Sequence, residues 1–195
     1  MAPLWAAHGA HERSGQMSAH GSGYEWQDGL PILGVRCVTP REQRLISGVK
    51  VRRLPGMPDE RGVLTEILRS DDPEFVGFGQ VYVTTTYPEV VKAWHFHHHQ
   101  TDMICCVAGE LKLALFDDRQ GSPTRGIVNE IFLGDSNRLL VKVPSGIFHG
   151  WKCIGEATAL IANIPDQLYN YASPDEHRVD PHENDIPYDW ARRDG

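Results

Sequence analysis

The segment His95-Phe96-His97-His98-His99-Gln100-Thr101-Asp102 gathers imidazoles and a carboxylate into one short stretch. Imidazole exchanges protons near neutral pH, and beside a carboxylate it also ligates divalent cations. The residues leading into it read as a strand, so His95 and His97, two positions apart, leave the same face. His98 and His99 read as incidental members of the run. Further along, Pro144-Ser145-Gly146-Ile147-Phe148-His149 places another histidine just after a turn. Brought together, His95, His97, Asp102 and His149 can hold a divalent metal ion.

The elements that must position these residues are short and β-like. From about Ile46 onward, runs rich in Val, Ile, Leu, Thr and Tyr alternate with Gly, Pro, Asp and Asn turns; GQVYVTTTY, VKAWHFH, MICCVAG and ELKLALFDD are among them. ELKLALF puts Leu111, Leu113 and Leu115 on one face, the pattern of a half-buried strand. About nine such strands, with no convincing long helix, predict an all-β sandwich or barrel. Residues 1–45 are different: rich in Gly, Ala, Ser and His and without either period, they read as a flexible leader. His8, His11 and His20 are incidental there, and residues 30–45 can lend a short strand or arm to a partner subunit. The domain is then 46–195, and its polar tail from Pro174 to Asp194, carrying Tyr188 and Trp190, is expected to lie across the body.

Composition narrows the function. The 195 residues hold 19 Lys+Arg against 26 Asp+Glu, a formal net charge of -7. That excess of acid argues against a general nucleic-acid binder, although a few arginines can still grip a phosphate. No apolar run is long enough to span a bilayer, so a soluble protein with no membrane partner is expected. Cys37, Cys105, Cys106 and Cys153 form no CxxC pair, and no secretory signal opens the chain. Adjacent cysteines in an apolar run read as buried thiols of a reducing compartment, and the cytoplasm is the expected location.

The two histidine segments resemble the paired motifs of the cupins: HxH, a carboxylate at Asp102 and a turn glycine at Gly109, then PxGxxH. The fold implied is a cupin-type jelly roll with an irregular N-terminal extension. From Val49 to Trp190 the chain resembles, more narrowly, the dTDP-4-dehydrorhamnose 3,5-epimerase family, dimeric cupins acting on nucleotide-linked 4-keto-6-deoxy sugars. Asp59, Arg61, Gly62 and Glu66 match its DxRGxxxE segment, and Gln80 matches its strand glutamine. Lys92-Ala93-Trp94-His95-Phe96-His97 stands for its RGLHFQ, and Asp117 to Gly126, with Arg119 and Ser122-Pro123-Thr124, for its SPT turn. Pro144 to Gly150 follows its PxGxxHG, and Tyr169, Tyr171 and Ile186 to Trp190 its tyrosine-rich close.

The resemblance implies a nucleotide-sugar epimerase of polysaccharide or deoxysugar biosynthesis, a homodimer that requires no cofactor. Removing a proton alpha to a ketone needs a base, a stabiliser for the enolate oxygen, and an acid on the opposite face. On the resemblance, His95 is the base and Asp185 its orienter, with Asp180 and Glu183 as alternatives. Arg61 and Lys92 would clamp the diphosphate, Lys92 without the bidentate fork of the family's arginine. Glu66, Gln80, Arg119 and His149 fall at substrate-binding positions.

Three departures bear on the chemistry. The family's lysine near the sugar oxygen falls at Asp102, its strand tyrosine at about Asn163, and its glutamine at His97. The enolate stabiliser and the acid are thus missing from their usual places, and Tyr169 and Tyr171 become candidates for the acid. The same changes assemble the set His95, His97, Asp102 and His149, for which Zn, Fe, Mn or Ni is a candidate and which can polarise a ketone. Two alternatives to the epimerase follow: a metal-dependent cupin isomerase or dioxygenase, and a non-catalytic cupin that binds sugar nucleotides.

Overall fold

The computed structural model describes residues 25–39 and 43–193. In chain order these form β1 (Trp26–Gln27), β2 (Val35–Cys37), β3 (Lys50–Arg53), β4 (Gly56–Asp59), β5 (Gly62–Thr65), β6 (Tyr82–Thr86) and β7 (Val91–Phe96). There follow β8 (Asp102–Ala108), β9 (Glu110–Asp117), β10 (Val128–Gly134), β11 (Leu139–Val143), β12 (Ile147–Cys153), β13 (Ala159–Asn163) and β14 (His177–Arg178). No helix forms among the described residues.

One six-stranded sheet runs β1-β3-β11-β8-β13-β6, a second runs β14-β7-β12-β9-β10-β2, and β4 and β5 make a separate hairpin. Every pairing between these strands is antiparallel. The result is an open jelly-roll sandwich. Of the two forms expected, sandwich or barrel, the described strands close no barrel.

Alternation explains the core. Leu111, Leu113 and Leu115 of β9 point inward and meet Val51, Ile104, Val141 and Ile161 from the facing sheet, all buried. Each such side chain contributes about 2 kcal/mol through its removal from water. The four cysteines are free and buried, in keeping with thiols that act as small core hydrophobes.

Part of the expected leader is built into this core. β1 pairs with β3, β2 pairs with β10, and Cys37 packs among the core residues. Both strands cover sheet edges that would otherwise leave backbone groups unpaired. His8, His11 and His20 lie outside the described residues.

The tail covers the other side of the second sheet. Trp94 packs with Ala114 and Trp190 on the side of the sheet away from the neighbouring His95. Trp94 is fully buried beneath the tail, its ring centroid 5.0 Å from Trp190 and 5.6 Å from Tyr188. Lys112 Nζ donates to the Trp190 and Ala191 carbonyls at 3.4 and 3.2 Å and fastens the strap. On this same outer side, β7 and β12 approach so closely that a Cβ on Gly150, the register partner of Ala114, would lie 2.2 Å from the Ala93 Cβ. Only glycine fits there, and this contact sets His149 opposite His95.

Candidate active site

Both sheets contribute to one end of the sandwich. β7 supplies His95 and, just past its end, His97; β12 supplies His149, the register partner of His95. The facing sheet supplies Asp102 at the start of β8, Asn163 at the end of β13, and Tyr82 at the start of β6. Gly146, with φ of 79°, makes the turn into β12, and its N–H donates to the His97 carbonyl at 2.7 Å. That conformation favours glycine and ties the two histidine segments together.

Asp102 is the buried centre. Its Oδ1 accepts from Gln100 Nε2 at 2.8 Å and from Asn163 Nδ2 at 2.7 Å. Its Oδ2 faces His97 Nε2 at 3.4 Å and His149 Nε2 at 3.3 Å. Each ring has already committed its other nitrogen. His149 Nδ1 donates to the Ile147 carbonyl at 2.9 Å, and His97 Nδ1 donates to the Asp175 carbonyl. A neutral imidazole carries one proton, so both Nε2 atoms turn lone pairs toward the carboxylate. Asp102 Oδ2 and His149 Nε2 are accordingly buried with no hydrogen-bond partner. A proton or a cation must lie between such groups. Burial pushes the Asp102 carboxyl up, but with a proton on the facing nitrogens His149 and His97, together with the Asn163 donor, more than offset this and hold it at about 2.

The donor set fits a divalent ion. His97, Asp102 and His149 each offer one ligand atom, all within 4.8 Å of one another. Separations of 3.3 and 3.4 Å are those of two ligands on one ion, each about 2.0–2.1 Å away at a near-tetrahedral angle. The expected metal set had a fourth member, and here the structure corrects it. The His95 ring lies across the His149 ring, centroids 4.1 Å apart, and does not join the group around Asp102.

His95 instead stands on the wall of a cavity of about 1070 Å³. Neither of its ring nitrogens is engaged in a hydrogen bond by the described residues. Burial, and next the neighbouring His149, push its pKa well below the ordinary histidine value, while Asp102 opposes them. The ring is therefore neutral, with a lone pair able to accept a proton.

Gln80, Lys92, Tyr169 and Tyr171 also line this cavity, together with His97, Tyr82 and Arg178. Lys92 Nζ donates to Thr84 Oγ1 at 3.0 Å and to the Thr85 carbonyl at 2.6 Å. Tyr169 and Tyr171 meet edge to face at 4.9 Å, and Tyr171 is 89% exposed. The remaining predicted residues lie elsewhere. His149 sits behind His95 rather than on the wall. Arg61 is at the exposed tip of the β4–β5 hairpin, paired with Asp59. Glu66 lines a separate cavity with Arg52 and Arg69, where Arg52 is buried against Asp72.

Arg119 and Asp185 are also placed away from the cavity. Arg119 donates to buried Asp117 at 2.9 Å and to the Ser47 carbonyl at 2.7 Å, and Ser122 and Thr124 complete the knot. Asp185 is exposed and does not line the cavity, because beyond Pro181 the tail crosses to the Trp94 side of the sheet, where Ile186, Tyr188 and Trp190 pack. Asp180, the alternative orienter, accepts from the His182 and Glu183 backbone at 2.8 Å.

Sequence reasoning missed Asp175 and Tyr82. Asp175 comes from a distant loop, and its carboxylate takes the N–H groups of His98 and His99 while its carbonyl turns the His97 ring. Tyr82 carried a usable signal, since it lies two residues beyond Gln80 on a predicted strand and so shares its face.

An open two-sheet jelly roll with an unengaged imidazole on the wall of so large a cavity defines a cupin-type enzyme for a small molecule. Residues 43–194 match the family described as dTDP-4-dehydrorhamnose 3,5-epimerase. The probable low-salt glycan biosynthesis epimerase Agl13 of Haloferax volcanii is 40% identical over 146 residues, which is 74% of this chain and 89% of that protein. The spore coat polysaccharide biosynthesis protein SpsL of Bacillus subtilis is 34% identical over 146 residues, 75% of this chain and 97% of its own. Among solved structures, a dTDP sugar isomerase from Desulfovibrio desulfuricans matches with a TM-score of 0.72 at 31% identity, covering 76% of this chain and 94% of that one. The chain belongs to the dTDP-4-dehydrorhamnose 3,5-epimerase family, and it is an isomerase of the epimerase type.

Proposed function

We propose that the protein inverts a carbon next to the ketone of a dTDP-linked 4-keto-6-deoxy hexose, or of a closely similar nucleotide sugar, on the way to a polysaccharide or deoxysugar. The observation that supports this most is His95: neutral, unengaged and facing the cavity. Its lone pair takes the proton alpha to the ketone, and the C–H electron pair moves into the enolate. Proton return to the opposite face completes the inversion. Lys92 and Arg178 supply positive charge on the same wall for the diphosphate. The test is incubation with a panel of nucleotide-linked 4-keto-6-deoxy sugars followed by NMR. A C3 or C5 epimer is the expected product, and recovery of every sugar unchanged would overturn the reading.

A second reading adds a divalent cation, favoured by the orphaned Asp102 Oδ2 and His149 Nε2. His97, Asp102 and His149 would hold it. When bound, such an ion supplies Lewis-acid polarisation of an oxygen.

The assembly is inferred to be a homodimer. β6 is an edge strand of its sheet, and its Val83 and the preceding Val81 are 57% and 56% exposed, a surface that a second copy would cover. Light scattering should give twice the chain mass; a monomer would contradict this. No helix among the described residues is long and apolar enough to cross a membrane.

A further inference from the structure

The proposed reaction needs two proton carriers, and His95 is only one of them. On the family resemblance the second is a tyrosine on the strand that ends at Asn163, and an amide cannot give up a proton at neutral pH. Directly across the sheet, however, Asn163 of β13 is the register partner of Tyr82 of β6. The Asn163 Nδ2 donates one hydrogen to Tyr82 Oη at 2.9 Å and the other to Asp102 Oδ1 at 2.7 Å. A phenol oxygen arrives from the neighbouring strand at the place where the family's phenol is missing.

The direction of that bond matters. The amide is the donor, so the phenolic proton of Tyr82 is not used by Asn163, and no other described residue accepts it. Tyr82 lines the same cavity as His95. Its oxygen is fixed by a partner that is itself anchored on buried Asp102, as a general acid must be fixed to act. Tyr169 and Tyr171 share the wall, but no hydrogen bond holds either of their hydroxyls, and Tyr171 is 89% exposed.

Resting on the epimerase reading, we propose that Tyr82 is the catalytic acid, delivering its phenolic proton to the enolate carbon on the face opposite His95. In that step the Tyr82 O–H bond breaks and a C–H bond forms, while the enolate electron pair returns to rebuild the ketone. The phenolate left behind is steadied by the Asn163 N–H and takes a proton from water. His95 loses the abstracted proton to solvent, and the cycle balances. Burial pushes the Tyr82 pKa up, which keeps the phenol protonated and ready to donate.

The experiment compares Tyr82→Phe with wild type in deuterated water, on a nucleotide 4-keto-6-deoxy sugar that the wild type epimerises. General acid–base groups contribute about 10²–10⁴-fold, so epimer formation should fall by at least about 100-fold. Deuterium should still enter the recovered, uninverted sugar, because His95 can remove a proton and return a deuteron to the same face. That retained exchange also shows the variant to be folded. Epimer formation within about threefold of wild type would overturn the proposal. So would loss of exchange together with epimer in a variant whose circular dichroism is native, or loss of epimer in Tyr169→Phe or Tyr171→Phe while Tyr82→Phe stays active. A wild type that neither exchanges nor epimerises any sugar removes the epimerase reading itself, and this proposal with it.

Discussion

Replacing His95 with asparagine should lower epimer formation by at least about 10³-fold, near the upper end of what a positioned general base contributes. Asparagine keeps a planar polar group of similar reach but has no lone pair basic enough to remove a proton from carbon. The fold should survive. The His95 side chain forms no hydrogen bond among the described residues, and its ring meets those of His149 and Trp151 edge to face, centroids 4.1 and 5.5 Å apart. The check is NMR-monitored turnover beside a thermal melt. A native melt with less than a thousandth of the activity is the expected pair of results. More than a tenth of wild-type activity in the variant would remove His95 as the base.

Asp102→Ala should be the most damaging change to the scaffold around the site. The carboxylate joins β8 to β13 through Asn163 and fixes Gln100, and it lies between two imidazole Nε2 atoms. Its removal leaves the buried Asn163 and Gln100 amides without their acceptor. Each such group costs about 1–3 kcal/mol, so a loss of about 3 kcal/mol is expected. For a domain of this size that lowers Tm by about 6–12 °C. Urea unfolding at unchanged slope measures it. The same variant tests the cation. On the second reading, wild-type protein purified without chelators should carry about one equivalent of divalent metal by elemental analysis, and Asp102→Ala should carry none. Metal-free wild type would leave protons, not an ion, between Asp102 and the two histidines. Stability within about 0.5 kcal/mol of wild type would contradict the central place given to the carboxylate.

Much of the architecture was legible in the chain because its signals are local. Leu111, Leu113 and Leu115 alternate along β9, and His95 and His97 share a face by the same two-residue period. Gly146 marked the turn into β12, where its positive φ is observed. The short leader strands β1 and β2 were not legible, since two or three residues show no period and pairing alone defines them.

Within the site, motif order identified which residues matter better than where they go. The HxH spacing put His95 and His97 together, yet the Asp175 carbonyl turns His97 toward Asp102 and leaves His95 free. Nothing near either histidine in sequence announces that carbonyl. Asp185 followed the tail, and the tail follows Trp94 to the outer face. Arg119 was expected at a substrate-binding position from its match to the family's SPT turn, but Asp117 is buried two residues away and takes its guanidinium. Charge type was visible in each case; the competing partner became visible only in three dimensions.

The central claim is that an imidazole on this cavity wall removes a proton next to a sugar ketone. Solvent exchange tests it most directly, because it registers proton removal even when inversion is slow. Incubated in deuterated water with nucleotide-linked 4-keto-6-deoxy sugars, the wild-type protein should place deuterium at C3 or C5 of at least one of them, and His95→Asn should place none. Absence of exchange from every sugar, or exchange that persists undiminished in His95→Asn, would contradict the claim.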